Sequence, residues 1–174
     1  PDSFLPLVLD ADLGPQLLEF VVERSARDLR RLRQLDRRDL SMSINIFPSD
    51  LRSGTLVDLL RRQVDGDGLT FGHITVEVTE DAFGAGSDES RAGLAALVEL
   101  GVRVSIDDFG TGHASLARIR DVPLHELKLD RSFMVNVPFD GHNAAIVQAT
   151  IGLAHAIGLP IVAEGVETED ALRW

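Results

Sequence analysis

The stretch Val104-Ser105-Ile106-Asp107-Asp108-Phe109-Gly110 decides the fold, because an apolar run that predicts a strand ends there in two consecutive carboxylates. Four other apolar runs also end in groups that can bind a metal ion or a proton. In a (β/α)8 barrel the catalytic groups collect at the C-terminal rim of the strands, so the repeated pattern favours a barrel. The groups at the other four strand ends are Asn45, Glu77 with Glu80, Lys128 with Asp130, and Glu164 with Glu167.

Short apolar runs alternate with longer amphipathic segments along the chain, which is typical of parallel strands joined by helical crossovers. A doubly wound open sheet is the alternative, but no glycine-rich phosphate loop follows the first predicted strand. No linker or low-complexity segment divides the sequence, so we expect residues 1–174 to form one domain. We predict strands at 41–46, 74–78, 102–106, 125–130 and 160–163, and helices at 14–35, 49–63, 87–101 and 142–157.

The number of predicted strands is small for a barrel of this type. Such barrels typically take about 250 residues and eight strands, whereas this sequence has 174 residues and predicts five strands. We therefore expect an incomplete barrel that is clipped at one or both ends.

Composition excludes several classes of site. The chain has no cysteine, which rules out disulfides, thiolate metal sites and cysteine nucleophiles. The formal net charge of -11 argues against binding to polymeric nucleic acid, which calls for a basic face. No apolar run is long enough for a membrane span, and the N-terminal residues do not form a signal peptide. We expect a cytoplasmic location.

One imbalance in the composition concerns a single residue. Of the 17 basic residues, 16 are arginines, and the only lysine is Lys128, within the apolar run Leu127-Lys128-Leu129. An ammonium is a compact point donor, whereas a guanidinium is planar and forked, so the two are not interchangeable between closely spaced carboxylates. Lys128 is therefore a candidate for holding an attacking water or a phosphate oxygen.

The polar groups at the strand ends form a set of hard oxygen donors without histidine. Such a set suits Mg²⁺, Mn²⁺ or Ca²⁺ rather than zinc or copper. At the frayed end of a strand, Asp107 and Asp108 can both turn toward one rim and bind two ions. Two ions about 3.5–4 Å apart stabilise the attacking and leaving oxygens of an in-line displacement at phosphorus.

Each residue also has a simpler explanation. A single acidic residue at a strand end is most often a turn residue or a helix cap, and Lys128 alone is typical of a surface side chain. Lys128 as the Schiff-base lysine of a barrel aldolase is a further alternative. That chemistry needs neighbours that lower the lysine pKa, whereas Asp130 and the aspartate pair raise it. The prediction depends on the joint pattern.

At these residues the sequence resembles the EAL domain family, bacterial phosphodiesterases that linearise cyclic di-GMP. The stretch 104–112, continuing to Leu124, is similar to the signature of the family, and 126–133 resembles its lysine strand. The stretch 162–168 resembles its late glutamate motif, and Glu77-Val78-Thr79-Glu80 and Ser43-Ile44-Asn45 resemble its earlier ligand strands.

The resemblance implies a role for each matching residue. Lys128 resembles the residue that helps position the nucleophilic water, with Asp130 beside it, and Glu80 resembles the glutamate that braces the loop after the aspartate pair. Glu167 resembles a group beside the substrate or behind a ligand. The residues that resemble the metal ligands are Asn45, Glu77, Asp107, Asp108 and Glu164.

The sequence departs from the family pattern at three places. The Glu-Ala-Leu tripeptide, whose glutamate is a metal ligand, is absent, and so is the closing strand with its Gln-Gly motif. The ending Asp170-Ala171-Leu172-Arg173-Trp174 mimics the missing tripeptide, and we interpret it as coincidence. His113-Ala114 stands where the family usually has Tyr-Ser, in a loop that lies near the dimer interface of the family.

The resemblance implies metal-dependent hydrolysis of cyclic di-GMP to linear pGpG in bacterial signalling, with Mg²⁺ or Mn²⁺ at a two-metal site. It also implies a homodimer through the loop after Asp107-Asp108, and attachment to sensory or diguanylate cyclase domains in a parent protein that is cytoplasmic or has this part in the cytoplasm. The alternative is a catalytically inactive domain that acts as a cyclic di-GMP receptor. We expect the retained Lys128 and aspartate pair to favour the enzyme.

Overall fold

The structure, a computed structural model, describes residues 3–35, 40–52, 54–64, 68–80, 83, 88–112, 122 and 124–174. Over these residues the strands are β1 (Met42–Asn45), β2 (Ile74–Thr79), β3 (Arg103–Phe109), β4 (Glu126–Leu129) and β5 (Ile161–Ala163). The α-helices are α1 (Leu5–Asp10), α2 (Gly14–Gln34), α3 (Pro48–Arg52), α4 (Thr55–Val64), α5 (Asp88–Glu99), α6 (Gly141–Ala156) and α7 (Glu169–Arg173). Short 3-10 helices cover Phe71–His73 and Arg131–Met134.

The strands form one five-stranded sheet in the order β1-β2-β3-β4-β5. Leu127 of β4 pairs in parallel with Ile106 of β3 on one side and with Ile161 of β5 on the other. A doubly wound sheet reverses its strand order at a switch point, whereas a barrel adds its strands in sequence. The order therefore confirms the predicted α/β class with the strand arrangement of a TIM-like barrel.

The chain divides into two compact units, and the first consists of Pro1–Val76 and Ser87–Arg103. Helix α2 packs on β1 and α4 through a stripe of buried residues spaced three and four apart: Leu18, Val22, Ala26 and Leu29. Helices α3 and α5 pack on each other as well. The fully buried Leu56, Leu59 and Leu60 of α4 complete this core.

The predicted helix at 49–63 is wrong in one respect, because the structure has two helices there. Gly54 separates α3 from α4 with a φ of 67°. Glycine adopts this left-handed conformation without a Cβ clash, and so it ends α3 and redirects the chain. The predicted stops at Gly101 and Gly158 are confirmed, since both follow a helix with positive φ. Ser87, the predicted cap of α5, lies outside the described residues.

The second unit consists of Glu77–Gly86 and Val104–Trp174. It contains β4 and β5, nearly all of β3, and the end of β2. Helix α6 packs on β4 and on the 3-10 helix Arg131–Met134. The core between them consists of Leu129, Met134, Val137, Val147 and Ala171. Within the described part of the chain, no helix combines the length and the hydropathy needed to cross a membrane.

The contact between α3 and α5 gives a test of packing in the first unit. A Cβ added to Gly93 of α5 would collide with the backbone carbonyl of Leu51 in α3. We expect Gly93→Ala to lower the free energy of unfolding by about 1–3 kcal/mol, the usual cost of overpacking. Gly152→Ala is the matched control, because a Cβ there meets open space. It should stabilise α6 by up to about 1 kcal/mol through helix propensity. Urea unfolding measures the change in the free energy of unfolding for both variants. Equal midpoints for the two variants would contradict the close packing of α3 on α5.

Candidate functional site

The site begins with a β-bulge that presents both aspartates. Between the pairs Ile106 with Leu127 and Phe109 with Leu129, β3 contains one residue more than β4. Asp108 has a φ of 54°, a left-handed conformation that aspartate tolerates better than most residues. A bulge bends the strand and re-aims its side chains. The predicted shared direction of Asp107 and Asp108 therefore has a specific cause, which is an extra residue in the strand rather than a frayed end.

The two aspartates are joined by a carboxylate from β5. Carboxylate oxygens of Asp107, Asp108 and Glu164 all lie within 4.8 Å of one another. Glu164 directly follows β5, and its backbone N–H donates to the carbonyl of Leu129 at 3.1 Å, which fixes it beside the end of β4. Three oxygen donors from two strand ends therefore converge on one small volume.

Lys128 contacts carboxylates from three different elements. Its Nζ lies 3.0 Å from Glu77 Oε2, 2.9 Å from Asp107 Oδ1 and 2.6 Å from Glu164 Oε1. The side chains of Lys128 and Glu77 are only 14% and 7% exposed, so these charges have little access to water. The three N–H donors of one ammonium thus connect β2, β3 and the residue after β5.

The carboxylates keep Lys128 charged. Burial alone would lower its pKa, but the hydrogen bonds to Glu164, Asp107 and Glu77 outweigh burial and raise the pKa well above its ordinary value. A Schiff-base lysine must be a neutral amine near neutral pH. The aldolase alternative is therefore inconsistent with this environment, and Lys128 acts as a hydrogen-bond donor and a positive charge.

Asp108 and Asp130 form a second pair at the same rim, with opposite pKa shifts. Burial and the charges of Asp107, Asp130 and Glu164 raise the pKa of Asp108. Burial would raise the pKa of Asp130 too, but hydrogen bonds from Ser132, whose backbone N–H lies 2.9 Å away, outweigh it and lower the pKa. Asp108 therefore takes up a proton before Asp130 does. The cluster holds more negative charge than one ammonium balances.

Glu80 holds the backbone that follows the bulge. Its Oε2 accepts hydrogen bonds from the N–H groups of Gly110 at 2.7 Å and of Gly112 at 3.1 Å. The residue is only 4% exposed. Gly110 has a φ of 101°, so the turn depends on glycine and on this buried carboxylate. The resemblance implies a bracing role for Glu80, and these two hydrogen bonds support that prediction.

The remaining predicted residues lie at different places. Asn45 is the last residue of β1, in the first unit, and its side chain is exposed. Glu167 is exposed on the loop after β5 and lines a pocket of the second unit. His113 and Ala114, in the loop associated with a dimer contact, lie outside the described residues. Asp170 and Phe139 line the same pocket as Glu167, although no local sequence pattern connects residues so far apart in the chain.

The residues present fit a divalent cation. The donors are oxygens, and three of them converge. Burial, and after it the neighbouring negative charges, raise the pKa of Asp108, and a divalent cation would offset those charges. Asp107, Asp108 and Glu164 would hold such an ion most directly. Glu77 is tied to this group through the Lys128 ammonium, from which it accepts a hydrogen bond at 3.0 Å.

A barrel-type parallel sheet with acidic donors and an ammonium at the carboxyl ends of its strands is the arrangement of a TIM-barrel enzyme site. The sequence matches the EAL domain family over residues 1–174. The chain belongs to the EAL domain family, as the resemblance predicted.

Relatives and a solved structure agree with this assignment. Cyclic di-GMP phosphodiesterase NbdA of Pseudomonas aeruginosa is 41% identical over 174 residues, which are 100% of this chain and 22% of NbdA. Bifunctional diguanylate cyclase/cyclic di-GMP phosphodiesterase MucR of the same organism is 37% identical over 169 residues, 97% of this chain and 25% of MucR. The solved PaMucR phosphodiesterase, in complex with c-di-GMP, has a TM-score of 0.92 at 36% identity, over 99% of this chain and 70% of that chain. The chain thus spans a quarter or less of the length of these two relatives.

The bracing by Glu80 predicts a graded loss of stability. Glu80→Ala leaves two backbone donors without their charged acceptor, and we expect a loss of about 3 kcal/mol in the free energy of unfolding. Glu80→Gln keeps one acceptor oxygen and should lose about half as much. Glu89→Ala, at an exposed position of α5, is the control and should change little. Urea unfolding orders the variants, and equal midpoints for Glu80→Ala and Glu89→Ala would refute the bracing.

The raised pKa of Asp108 predicts that removing its charge stabilises the metal-free protein. A raised folded-state pKa means that stability is fully present below the ordinary aspartate pKa and is lost as the pH rises through the raised value. In EDTA at pH 7, Asp108→Asn should therefore unfold at a higher temperature. The gain in the free energy of unfolding should be about 0.5 kcal/mol after allowance for solvent screening. The difference should vanish near pH 3.

Asp12→Asn is the matched control for that measurement, because Asp12 also has a φ of 54°. Asparagine tolerates this conformation at both positions, and so the backbone contribution cancels in the comparison. Calorimetric melts over a pH series give the answer. A lower midpoint for Asp108→Asn at pH 7, or an equal gain for Asp12→Asn, would contradict the claim that burial and neighbouring charges disfavour the ionised Asp108.

Proposed function

We propose that this EAL domain hydrolyses cyclic di-GMP to linear pGpG with Mg²⁺ or Mn²⁺. The observation that carries the proposal is the Lys128 ammonium, which contacts the carboxylates of Glu77, Asp107 and Glu164 at one end of the sheet. A cyclic di-GMP phosphodiesterase, NbdA, is among its relatives, and the solved PaMucR structure is a c-di-GMP complex. An inactive receptor would have little use for this arrangement of charges.

The residues that would hold the metal are the predicted set. Asp107, Asp108 and Glu164 converge, Glu77 shares the Lys128 ammonium with them, and Asn45 ends β1. When bound, divalent cations at such a site stabilise the charge on the attacking and leaving oxygens of an in-line displacement at phosphorus.

Lys128 would orient the attacking water. Because its pKa is raised, it stays protonated. Its three N–H donors contact three carboxylates, so it would give up one of these contacts to donate to the water oxygen or to a non-bridging phosphate oxygen. A new bond forms between the water oxygen and phosphorus while the bond from phosphorus to O3′ breaks. The departing O3′ gains a proton and the water oxygen loses one, so the charge balances and the ring opens to pGpG.

The other predicted residues would support this reaction from the rim. Asp130, whose pKa is lowered, stays ionised beside Asp108 and can accept a hydrogen bond from the water or the substrate. Glu80 holds the turn at Gly110 that keeps the bulge in place. Glu167, exposed on the loop after β5, would face the substrate.

The setting of the domain is part of the proposal. MucR combines the names diguanylate cyclase and phosphodiesterase, and this chain spans 25% of it. That comparison supports the proposed attachment of this domain to sensory or diguanylate cyclase domains. A cytoplasmic location suits a bacterial second-messenger substrate, and homodimerisation through the loop after Asp107-Asp108 remains a proposal.

The lysine gives the experiment that tests the proposed function. We expect Lys128→Arg to lower turnover of cyclic di-GMP at least 100-fold, comparable with the loss of one positioned donor in other active sites. A planar guanidinium cannot place three donors toward three carboxylates as the ammonium does. Mn²⁺ binding measured by calorimetry and the melting temperature should stay close to those of the unaltered protein.

Arg173→Lys is the control, because it exchanges the same two residue types at an exposed ion pair with Glu169. It should leave turnover unchanged. Near-normal hydrolysis by Lys128→Arg would overturn the assigned role of the lysine. Absence of hydrolysis by the unaltered full-length protein with either Mg²⁺ or Mn²⁺ would overturn the proposed function and favour the receptor.

A further inference from the structure

The turn that follows the bulge of β3 is covered by an aromatic ring. A Cβ added to Gly110 would lie 2.8 Å from Cε2 and 3.2 Å from Cζ of Phe133. The Cδ2 atom, closer to the backbone of Phe133, would be 3.7 Å away. The outer edge of the Phe133 ring therefore occupies the space that a side chain at residue 110 would need.

The same ring is fixed to the core of the second unit. Phe133 is partly buried and packs against the hydrophobic core that α6 and β4 enclose. Its backbone is also held, because its N–H donates to the carbonyl of Asp130, the residue before the 3-10 helix Arg131–Met134, at 3.2 Å. Protein interiors are close-packed and transmit displacements. The ring thus connects the core with the turn at Gly110.

Gly110 is contacted on its polar and on its apolar side. Its N–H donates to Glu80 Oε2 at 2.7 Å, and the ring of Phe133 covers the side where a Cβ would be. With a φ of 101°, this residue has a conformation that glycine adopts readily, but glycine is also the residue that is most mobile when its surroundings do not fix it. The turn therefore depends on both contacts.

The turn in its turn places the two aspartates. Asp107 and Asp108 directly precede Phe109 and Gly110 in the chain. The backbone N–H of Thr111 donates to the carbonyl of Asp108 at 3.2 Å, which closes the turn onto the bulge. A displacement of Gly110 would therefore move the carboxylates that converge with Glu164.

We propose that Phe133 is a positioning residue for the candidate metal site, an inference that rests on the proposed function. Its ring holds the Gly110 turn from the apolar side, so that the aspartate pair keeps the convergence with Glu164 that a divalent cation requires. Phe133 has no polar atom to offer to a metal ion, to water or to a phosphate, and so it acts only through the turn. Residues that orient metal ligands typically change metal affinity by about 10- to 100-fold when they are replaced.

The most selective variant is Phe133→Leu. Leucine retains the Cδ atoms and lacks the ring edge, Cε2 and Cζ, that contacts Gly110. Ile151→Ala is the matched control, because it removes the same number of side-chain carbon atoms from another partly buried residue on the same core. Ile151 lies on α6 rather than on the 3-10 helix. The two variants therefore share the loss of core packing and differ in the contact with the turn.

We expect Phe133→Leu to raise the dissociation constant for Mn²⁺, measured by calorimetry on the full-length protein, by about 10- to 100-fold. Turnover of cyclic di-GMP at limiting Mn²⁺ should fall by a similar factor, and a large excess of Mn²⁺ should restore much of it. Ile151→Ala should lower the melting temperature about as much as Phe133→Leu does, but it should bind Mn²⁺ as the unaltered protein does. Equal Mn²⁺ affinities of the two variants would overturn the positioning role.

A double-mutant cycle tests the contact itself, without metal or substrate. In EDTA, Gly110→Ala should lower the melting temperature less in the Phe133→Leu background than in the unaltered protein, because the missing ring edge leaves room for the added Cβ. The backbone strain of a Cβ at a φ of 101° is the same in both backgrounds and cancels. Equal losses in the two backgrounds would refute the contact and with it the inference.

The outcomes separate this inference from the proposed function. If the unaltered protein hydrolyses cyclic di-GMP and Phe133→Leu binds Mn²⁺ as Ile151→Ala does, the positioning role is wrong and the function stands. If Mn²⁺ binds without turnover and Phe133→Leu weakens that binding, the positioning role stands and the proposed function fails. Absence of Mn²⁺ binding by the unaltered protein overturns both.

Discussion

The rim of the second unit is organised around one positive charge that three carboxylates share. Lys128 brings Glu77, Asp107 and Glu164 within 2.6–3.0 Å of its Nζ, although these residues are far apart in the sequence. Buried carboxylates are costly without a counter-charge, and removing one member of such a set leaves an uncompensated charge. The lysine therefore holds three strand ends in one arrangement, and with Asp108 the carboxylates of this cluster outnumber the one ammonium.

The surplus of negative charge lies where the backbone is least regular. Asp108 has a left-handed conformation in a bulge of β3, and Gly110 continues with a φ of 101° held by Glu80. Such conformations cost free energy and persist at functional sites because their surroundings fix them. Here the surroundings are the buried carboxylate of Glu80, which holds Gly110, and the ammonium of Lys128, which contacts Asp107. The fold is thus less stable than it would be with a regular strand, and in return two adjacent carboxylates lie at the same rim.

Much of this arrangement is readable from the sequence, because the apolar runs and the residues that end them follow the period of a parallel sheet. All five predicted strands are present, and the polar residues after 106 and 163 converge as that pattern indicates. The break at Gly54 and the bulge were not predicted, since one residue with positive φ leaves the hydrophobic pattern unchanged. The pocket lined by Phe139 and Asp170 depends on tertiary packing between segments about 30 residues apart, which no local pattern records.

The proposed function requires the carboxylates around Lys128 to form a divalent-cation site that serves phosphodiester chemistry. Anomalous diffraction at the manganese edge, from crystals grown with Mn²⁺ and cyclic di-GMP, tests it most directly. We expect manganese peaks in contact with oxygens of Asp107, Asp108 and Glu164, with a phosphate of the dinucleotide on the same ions. Bound dinucleotide with no manganese at these residues, or manganese only elsewhere on the protein, would contradict the account.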